Sequence, residues 1–361
     1  MAIGAAGYIF KHMTNMALPL TDSVPGVDAL EDLLSQPTDG VVETLRNLTG
    51  DVLVLGIAGK MGPSLAHMIR RADDRTGVRR RVIGVSRFST ASQKSELEAL
   101  GIETIACDLL DSEKLKKLPE AHNVIFMAGM KFGSSGQEAL TWAMNTYLPG
   151  MVCQKFKNSR IIAFSTGNVY GLTPVHLGGS VEADAPNPTG DYAMSCLGRE
   201  RIFEHFSRTL KIPMALIRLN YATELRYGVL VDLAQQIVAG KTVDLSMGHA
   251  NVIWQADANA MTIRAFDQLS TPPFILNVSG PETLSVRRVC EELAAHMGMS
   301  VTFSGSEAPN ALLSNGQLGH RLYGYPRFSV QQLIRWTADW VKRGGESHGK
   351  PTHFEARDGK F

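Results

Sequence analysis

The amino-acid sequence predicts an α/β fold in which a doubly wound parallel sheet carries helices on both faces. Two observations support this prediction. From residue 51 onward, short apolar runs alternate with segments of helical periodicity, and the first apolar run, 51–55, ends in a glycine-rich turn. Strands that are buried on both faces read as continuous apolar runs. Repeated βα units then form a parallel sheet, because each helix crosses back over it.

The predicted elements follow one another in a regular order. Strands are expected at 51–55, 82–86, 103–107, 123–127, 160–165 and 213–219, with helices at 64–71, 93–100, 137–156 and 192–210. After residue 220 the alternation loosens into short strands and three further helices, at 229–239, 286–297 and 330–341. Two short helices are expected before the first strand, at 27–34 and 41–48.

The bulk composition argues against several classes of protein. A formal net charge of +1 gives no electrostatic reason to bind nucleic acid or an anionic membrane. No apolar run reaches the roughly 18 residues that span a bilayer. The four cysteines form no CxxC pair, and the ten histidines show no HxH or HExxH spacing. We therefore expect a reduced, cytoplasmic protein without a metal centre.

The turn after the first strand has the spacing of a phosphate-binding loop. Gly56, Gly59 and Gly62 lie three residues apart, and Lys60 and Met61 complete the turn. Glycines at these positions allow a sharp turn and a close approach of the backbone to a pyrophosphate. The amides and the dipole of the following helix would hold the phosphate charge. The turn therefore predicts a dinucleotide site, with a plain β–α turn as the alternative.

The ends of the next strands hold candidates for contacts with the adenosine half of a cofactor. Ser86 and Arg87 end the second strand, where an acidic residue would bind the ribose hydroxyls of NAD. This pair suits the 2′-phosphate of NADP, so we expect NADP in preference to NAD, unless Arg87 is simply solvated. Asp108 and Leu109 end the third strand and could flank the adenine, or Asp108 could cap the next helix. The end of the fourth strand, where small residues admit the cofactor, reads Met127, Ala128 and Gly129.

Two further segments carry a family resemblance. Residues 164–171 read Phe-Ser-Thr-Gly-Asn-Val-Tyr-Gly, with a hydroxyl pair just past the fifth strand. A helix then begins near Tyr192, with Glu200 eight residues further on. Together with the glycine loop and the segment Asn277 to Pro281, these motifs resemble the extended short-chain dehydrogenase/reductases, the NAD(P)-dependent epimerase/dehydratase group. The resemblance covers about residues 51–341.

On this interpretation the chain has four parts. A mostly helical N-terminal extension, 1–48, precedes an NAD(P)-binding domain of the Rossmann type, 49–220. A smaller C-terminal α/β region, 221–343, would mainly bind substrate, with some segments that return to the first domain. The polar, glycine-rich end of the chain, 344–361, is expected to be a flexible tail.

The resemblance implies roles for individual residues. Thr166 would bond the substrate oxygen, and Tyr192 would exchange a proton with the substrate while a hydride moves at the nicotinamide. Asn145 would help to position the active-site groups. The implied homodimer would form through the helices after the fourth and fifth strands. A small-molecule substrate would be contacted by Thr166, Asn168, Asn220 and Trp254, although Trp254 could equally be a buried structural residue.

The residue four positions after Tyr192 departs from the family. The family has a lysine there, one helical turn along the same face, which lowers the pKa of the tyrosine and bonds the nicotinamide ribose. This chain has Cys196, which would still lie beside the cofactor but cannot supply a fixed positive charge. Arg199 lies near the same face. We therefore expect Tyr192 to be a weaker base than in the family.

A second departure concerns the substrate. Sugar-nucleotide enzymes of the group carry an arginine that grips the diphosphate, whereas Ala250 stands at the corresponding position here. A smaller sugar, lactone or hydroxy acid is therefore favoured. The predicted function is an NAD(P)-dependent oxidoreductase or epimerase acting on a hydroxyl or keto group of a carbohydrate-like small molecule. The alternative is a catalytically impaired sensor or scaffold that binds the dinucleotide without turnover.

Overall fold

A seven-stranded parallel sheet forms the centre of the molecule. The structure is a computed structural model and describes residues 23–131 and 136–359. The strands are β1 (Val52–Leu55), β2 (Val82–Ser86), β3 (Glu103–Ala106), β4 (Asn123–Phe126), β5 (Arg160–Thr166), β6 (Met214–Leu219) and β7 (Phe274–Val278). Their order across the sheet is β7-β6-β5-β4-β1-β2-β3, and every neighbouring pair is parallel. The predicted fold class is confirmed.

The position of β1 in the sheet determines where a ligand can bind. All four residues of β1 are buried, as are all four of β4, because helices cover both faces of the sheet. The chain goes from β1 to β2 and β3 on one side and then returns to β4 on the other. Such a reversal of strand order opens a crevice at the carboxyl ends of the strands, which is where doubly wound folds bind their ligands.

The helices alternate with the strands and then form the C-terminal region. They are α1 (Val27–Ser35), α2 (Asp39–Asn47), α3 (Gly62–Thr76), α4 (Ala91–Ala99), α5 (Ser112–Lys116), α6 (Glu138–Trp142), α7 (Leu148–Lys155), α8 (Gly190–Leu210), α9 (Val229–Val238), α10 (Gln255–Arg264), α11 (Val286–Met297), α12 (Gln317–Tyr323) and α13 (Val330–Lys342). Among the described residues, no helix has the length and apolar character needed to cross a bilayer.

One predicted helix, 137–156, is interrupted. A π-helical turn, Ala143–Tyr147, separates α6 from α7. Pro149 lacks the N–H that would bond the carbonyl of Asn145 in a regular helix. That carbonyl instead accepts a hydrogen bond from Nε of Arg199, at 3.3 Å, so the interruption lets α8 reach into this helix.

The N-terminal extension packs against the sheet domain wherever the structure describes it; residues 1–22 lie outside the described part. Its helices α1 and α2 lie on α3. Arg80 is buried and donates to Asp73 Oδ1 at 2.8 Å, to the carbonyl of Leu48 at 3.0 Å and to the carbonyl of Leu45. This buried cation therefore joins the end of α2 to the sheet domain.

The end of the chain packs differently from the flexible tail predicted at 344–361. Residues 346–359, called here the C-terminal strap, run back over the C-terminal region. Thr352 and Phe354 within it are each 2% exposed. The backbone N–H and the hydroxyl of Thr352 both donate to Oδ2 of Asp232 in α9, at 2.7 and 2.6 Å. Burial of an aromatic ring and these two bonds hold the strap; residues 360–361 lie outside the described part.

Candidate active site

The loop between β1 and α3 is shaped for close contact with a phosphate. Gly56 has a φ of +91°, and a Cβ there would meet the backbone of Ala128 at 2.7 Å. At Gly62 a Cβ would lie 2.1 Å from the carbonyl oxygen of Ile57, so only glycine lets α3 begin here. A Cβ at Gly59 would meet no atom closer than the carbonyl oxygen of Gly56, at 3.4 Å. Gly56 thus allows the sharp turn and Gly62 the close packing of α3, whereas Gly59 leaves room for a ligand at the amino end of α3.

A cavity of about 450 Å³ lies on the β2 and β3 side of this loop. The residues predicted to contact the adenosine half of the cofactor line it together: Ser86, Arg87, Asp108, Leu109, Met127, Ala128 and Gly129. No acidic residue ends β2. The carboxylate of Asp108 accepts a bond from the backbone N–H of Leu110 at 3.1 Å, so it organises its own turn and also faces the cavity.

A second cavity, of about 420 Å³, adjoins the first on the β4 and β5 side. Gly56, Gly59 and Gly129 line both cavities, so the two form one cleft across the carboxyl edge of the sheet. Other predicted site residues line the second cavity: Lys60, Met61, Thr166, Asn168, Tyr192 and Asn220. One cleft therefore joins the phosphate loop to the predicted acid/base pair.

Tyr192 lies in the first turn of α8, with its phenol group hydrogen-bonded to the side chain of Thr166 at the end of β5. Thr166 in turn donates to Oδ1 of Asn168 at 2.9 Å. Burial raises the pKa of Tyr192 above its usual value, the adjacent Cys196 thiol adds to this, and the positive charge of Arg199 opposes it. The phenol is therefore protonated near neutral pH, and it is hydrogen-bonded to the hydroxyl of Thr166.

Asn145 lies behind the cleft and does not line either cavity. Its amide nitrogen donates to the carbonyl of Met130 and to Oγ of Ser195, at 2.9 and 3.0 Å. Its amide oxygen accepts from the N–H of Met130 at 2.9 Å and from Arg199 at 2.5 Å. Asn145 thus ties the segment after β4 to α8, which is a positioning role.

Cys196 is fully buried beside Val169 and Tyr170 and does not line either cavity, in contrast to the cofactor contact predicted for it. Burial raises the pKa of its thiol, so it carries no charge near neutral pH. The thiol is hydrogen-bonded to the phenol of Tyr192.

Two cations approach this region from other positions. Arg199, three residues after Cys196, is 6% exposed and donates to the carbonyl of Phe164 at 2.8 Å. A Cβ at Gly129 would meet its Nη2 at 2.4 Å, so the guanidinium abuts the wall of the cleft. From the segment after β4, the Nζ of Lys131 lies 5.8 Å from the ring centre of Tyr192. Positive charge is therefore present near Tyr192 although the motif position holds cysteine.

Sequence reasoning missed the contribution of the C-terminal strap. Lys350 and Thr352 line the second cavity, and the carbonyl of Thr352 accepts from Nζ of Lys131 at 3.3 Å. A signal was available, since Phe354 is an aromatic residue in a tail that is mostly polar. The strap therefore forms part of the wall of the second cavity.

Trp254 is not a substrate contact in this structure. Its side chain is 1% exposed and packs edge-on against Phe328 and Trp336, with ring centres 6.0 and 5.9 Å apart. It does not line either cavity of the cleft, so the structural alternative describes it correctly. The neighbouring Gln255 does line the second cavity and donates to Oγ of Ser64 at 3.0 Å.

The fold and the cleft define a dinucleotide-binding α/β protein. A sequence model of the NAD dependent epimerase/dehydratase family matches residues 52–245, which is more than half of the chain. The chain belongs to this family, and it is an NAD-dependent epimerase/dehydratase enzyme of the short-chain dehydrogenase/reductase type that takes a nicotinamide dinucleotide cofactor. A comparison with curated proteins finds no match.

Solved structures share the fold at low sequence identity. UDP-glucuronic acid 4-epimerase from Bacillus cereus, in complex with NAD, is 19% identical with a TM-score of 0.66, covering 81% of this chain and 99% of that one. UDP-glucose 4-epimerase from Thermus thermophilus, in complex with NAD, is 20% identical with a TM-score of 0.66 and the same coverage. MoeE5, in complex with UDP-glucose and NAD, is 19% identical with a TM-score of 0.64.

Proposed function

We propose that this enzyme oxidises, or oxidises and re-reduces, a hydroxyl-bearing carbon of a carbohydrate-like small molecule. Tyr192 is the acid/base, and Thr166 holds the substrate oxygen. One observation carries the proposal: the phenol of Tyr192 is hydrogen-bonded to the hydroxyl of Thr166 in the cavity that adjoins the glycine loop. The sugar-nucleotide complexes of the related solved structures agree with a carbohydrate substrate.

The chemistry divides between the cofactor and the chain. When bound, the nicotinamide ring supplies the acceptor for a hydride from the substrate carbon. Tyr192 first releases its own proton to water; as the phenolate it takes the proton from the substrate hydroxyl while the carbonyl forms, and as the phenol it returns that proton when the carbonyl is reduced. Thr166 keeps the reacting oxygen beside the phenol, and the charge of Arg199 favours the phenolate form. In an epimerase the hydride would return to the opposite face of the substrate carbon, whereas in a dehydrogenase the reduced cofactor would be released.

We further propose a preference for NADP over NAD. Ser86 and Arg87 line the first cavity at the end of β2, where a 2′-phosphate would lie, and no carboxylate replaces them. Arg87→Ala should weaken NADP+ binding by about tenfold or more and leave NAD+ binding unchanged, because only NADP carries the extra phosphate. Equal weakening of both cofactors in calorimetric titrations would contradict this preference.

A homodimer is the assembly that we propose for the enzyme. Large apolar side chains are exposed along the helices that follow β4 and β5: Leu140 at 40%, Tyr147 at 64% and Met194 at 48%. Apolar side chains exposed together favour a protein contact. Tyr147→Glu should convert the dimer to a monomer in analytical ultracentrifugation, and a wild-type monomer at micromolar concentration would contradict the proposal.

A turnover screen tests the proposed reaction. The substrate panel pairs UDP-glucose and UDP-glucuronic acid with free sugars, lactones and hydroxy acids, each with NAD+ and NADP+. Reduced cofactor is followed by absorbance, and inversion at a carbon by chromatography. Tyr192→Phe should lower the rate by about 10²- to 10⁴-fold. Activity that is indifferent to this change would contradict the mechanism, and cofactor binding without any turnover would favour the impaired sensor or scaffold.

A further inference from the structure

The second cavity of the cleft is lined by three lysines. Lys60 comes from the glycine loop, Lys131 from the segment after β4 and Lys350 from the C-terminal strap. Among the described residues that line this cavity, none is Asp or Glu. Three elements that are distant in sequence thus bring positive charge into one concave space, which also contains the Tyr192 phenol.

The lysines line the cavity that also contains Tyr192 and Thr166. The Nζ of Lys60 lies 3.1 Å from the ring centre of Tyr227, which belongs to the segment before α9 and also lines the second cavity. Lys350 lies on the C-terminal strap, far in sequence from the glycine loop, and lines the same cavity. The amides at the start of α3 remain the phosphate site of the loop.

Two of the carboxylates that act on these lysines, Asp232 and Glu224, are bound to other groups. Asp232 accepts two hydrogen bonds from Thr352 through the same oxygen, Oδ2. Glu224 is 2% exposed, is paired with Arg226 at 3.2 Å and lies 3.3 Å from His348. Both carboxylates are thus held by groups outside the lining of the second cavity, although they still act electrostatically on Lys60.

The lysines also repel one another. Burial lowers the pKa of Lys60 to about 7, with Lys350 and Lys131 lowering it further and Asp232 and Glu224 opposing. Burial lowers the pKa of Lys131 to about 8, and the carboxylates of Asp232 and Glu355 oppose this effect. An anion placed among these groups would reverse this effect, because it stabilises each ammonium form.

We propose that the substrate is an anionic carbohydrate, whose carboxylate or phosphate is held by Lys60, Lys131 and Lys350 while its reacting hydroxyl lies at Tyr192. This inference rests on the proposed function for the identity of the reacting group. Charge-assisted hydrogen bonds from three ammonium groups distinguish an acidic sugar from its neutral counterpart. The same arrangement accepts a sugar acid or a sugar phosphate, so both are tested against the neutral sugar.

The experiment uses the full-length enzyme saturated with oxidised cofactor. Calorimetry compares glucuronate, glucose 6-phosphate and glucose as probes, and turnover is measured on the same samples. At least one anionic probe should bind about tenfold or more tightly than glucose. Lys350→Met should remove about tenfold of that preference, measured as the ratio of anion to glucose affinity, whereas Lys350→Arg should retain it. Lys342→Met, on an exposed turn of α13, is the matched control and should change nothing.

The pH dependence gives a second readout. Lys60 loses its proton as the pH rises through about 7 in the ligand-free cleft, so anion binding above that pH takes up a proton. Affinity for the anionic probe should therefore fall as the pH rises above about 7, while affinity for glucose stays flat. The groups that face Lys60 and enter this dependence are Lys131, Lys350, Asp232, Glu224 and Tyr227.

Several results would overturn the inference. Equal affinity for glucose and both anions would do so, and so would an anion preference that survives Lys350→Met. Loss of cofactor affinity in Lys350→Met would show that the lysine serves the cofactor diphosphate instead. Selective, Lys350-dependent anion binding without turnover of any probe would support the inference while the proposed function fails, so the two are tested separately.

Discussion

A buried ion pair behind the catalytic residues gives the sharpest stability prediction. Glu200 and Arg218 have side chains that are 2% and 3% exposed, and they meet through Nη2–Oε2 at 2.7 Å and Nε–Oε1 at 3.0 Å. Glu200 also accepts from Ser165 at 2.6 Å, and Arg218 donates to the hydroxyl of Tyr170 at 2.7 Å. The pair therefore joins α8 to β5 and β6 directly below Thr166.

Arg218→Met removes the cation and leaves the Glu200 carboxylate buried with Ser165 as its remaining donor. Breaking a buried ion pair in this way costs about 3–5 kcal/mol, mostly because the remaining charge lacks a counterion. Urea titration followed by fluorescence and circular dichroism should show this loss in the free energy of unfolding.

The double variant separates the charge from the packing. Glu200→Gln in the Arg218→Met background keeps the bond to Ser165 but removes the charge, so it should recover about half of the lost free energy or more. A loss below about 1 kcal/mol for Arg218→Met, or no recovery in the double variant, would refute the reasoning.

The remaining predictions concern the cleft. Arg199→Met should raise the pKa of Tyr192 further, because the charge of Arg199 opposes the effect of burial. The pH–rate profile should shift to more alkaline pH by about one pH unit or more. An unchanged profile would contradict this role of Arg199. Cys196→Lys should raise the Tyr192-dependent rate or lower its pH optimum. If Arg199 supplies the positive charge that Cys196 lacks, this effect should be larger in the Arg199→Met background than in the wild type. The reverse order would argue that Arg199 does not compensate for the missing lysine. Asp232→Asn weakens the acceptor of two hydrogen bonds from Thr352, so limited proteolysis should cleave the strap faster than in the wild type. The control Glu96→Gln, at an exposed position, should be cleaved at the wild-type rate. Equal rates for the two variants would contradict the anchoring role of Asp232.

The sheet and the phosphate loop could be predicted from the sequence because their signals are local. A strand such as Val52–Leu55 is apolar throughout, and the glycine spacing after it reflects backbone constraints at Gly56 and Gly62. The residues that end β2, β3 and β4 face one cavity because parallel strands bring their carboxyl ends to one edge. Local patterns therefore suffice for this half of the cleft.

The other half depends on contacts between distant parts of the chain. The strap reaches the cleft through Thr352 and Asp232, which are 120 residues apart in sequence. Arg199 reaches the wall at Gly129 because a π-helical turn frees the carbonyl of Asn145. Trp254 looked like a pocket residue from its position alone, but the aromatic partners that bury it lie more than seventy residues further on. Periodicity and motif spacing do not contain such information.

The most direct test of the central claim is a single-turnover measurement of hydride transfer. Enzyme saturated with oxidised cofactor is mixed with the best substrate of the screen, and reduced nicotinamide is followed in the wild type, Tyr192→Phe and the exposed control Tyr325→Phe. We predict the wild-type rate for Tyr325→Phe and a loss of about 10²- to 10⁴-fold for Tyr192→Phe at equal cofactor occupancy. Equal rates in all three proteins would contradict the assignment of Tyr192 as the acid/base.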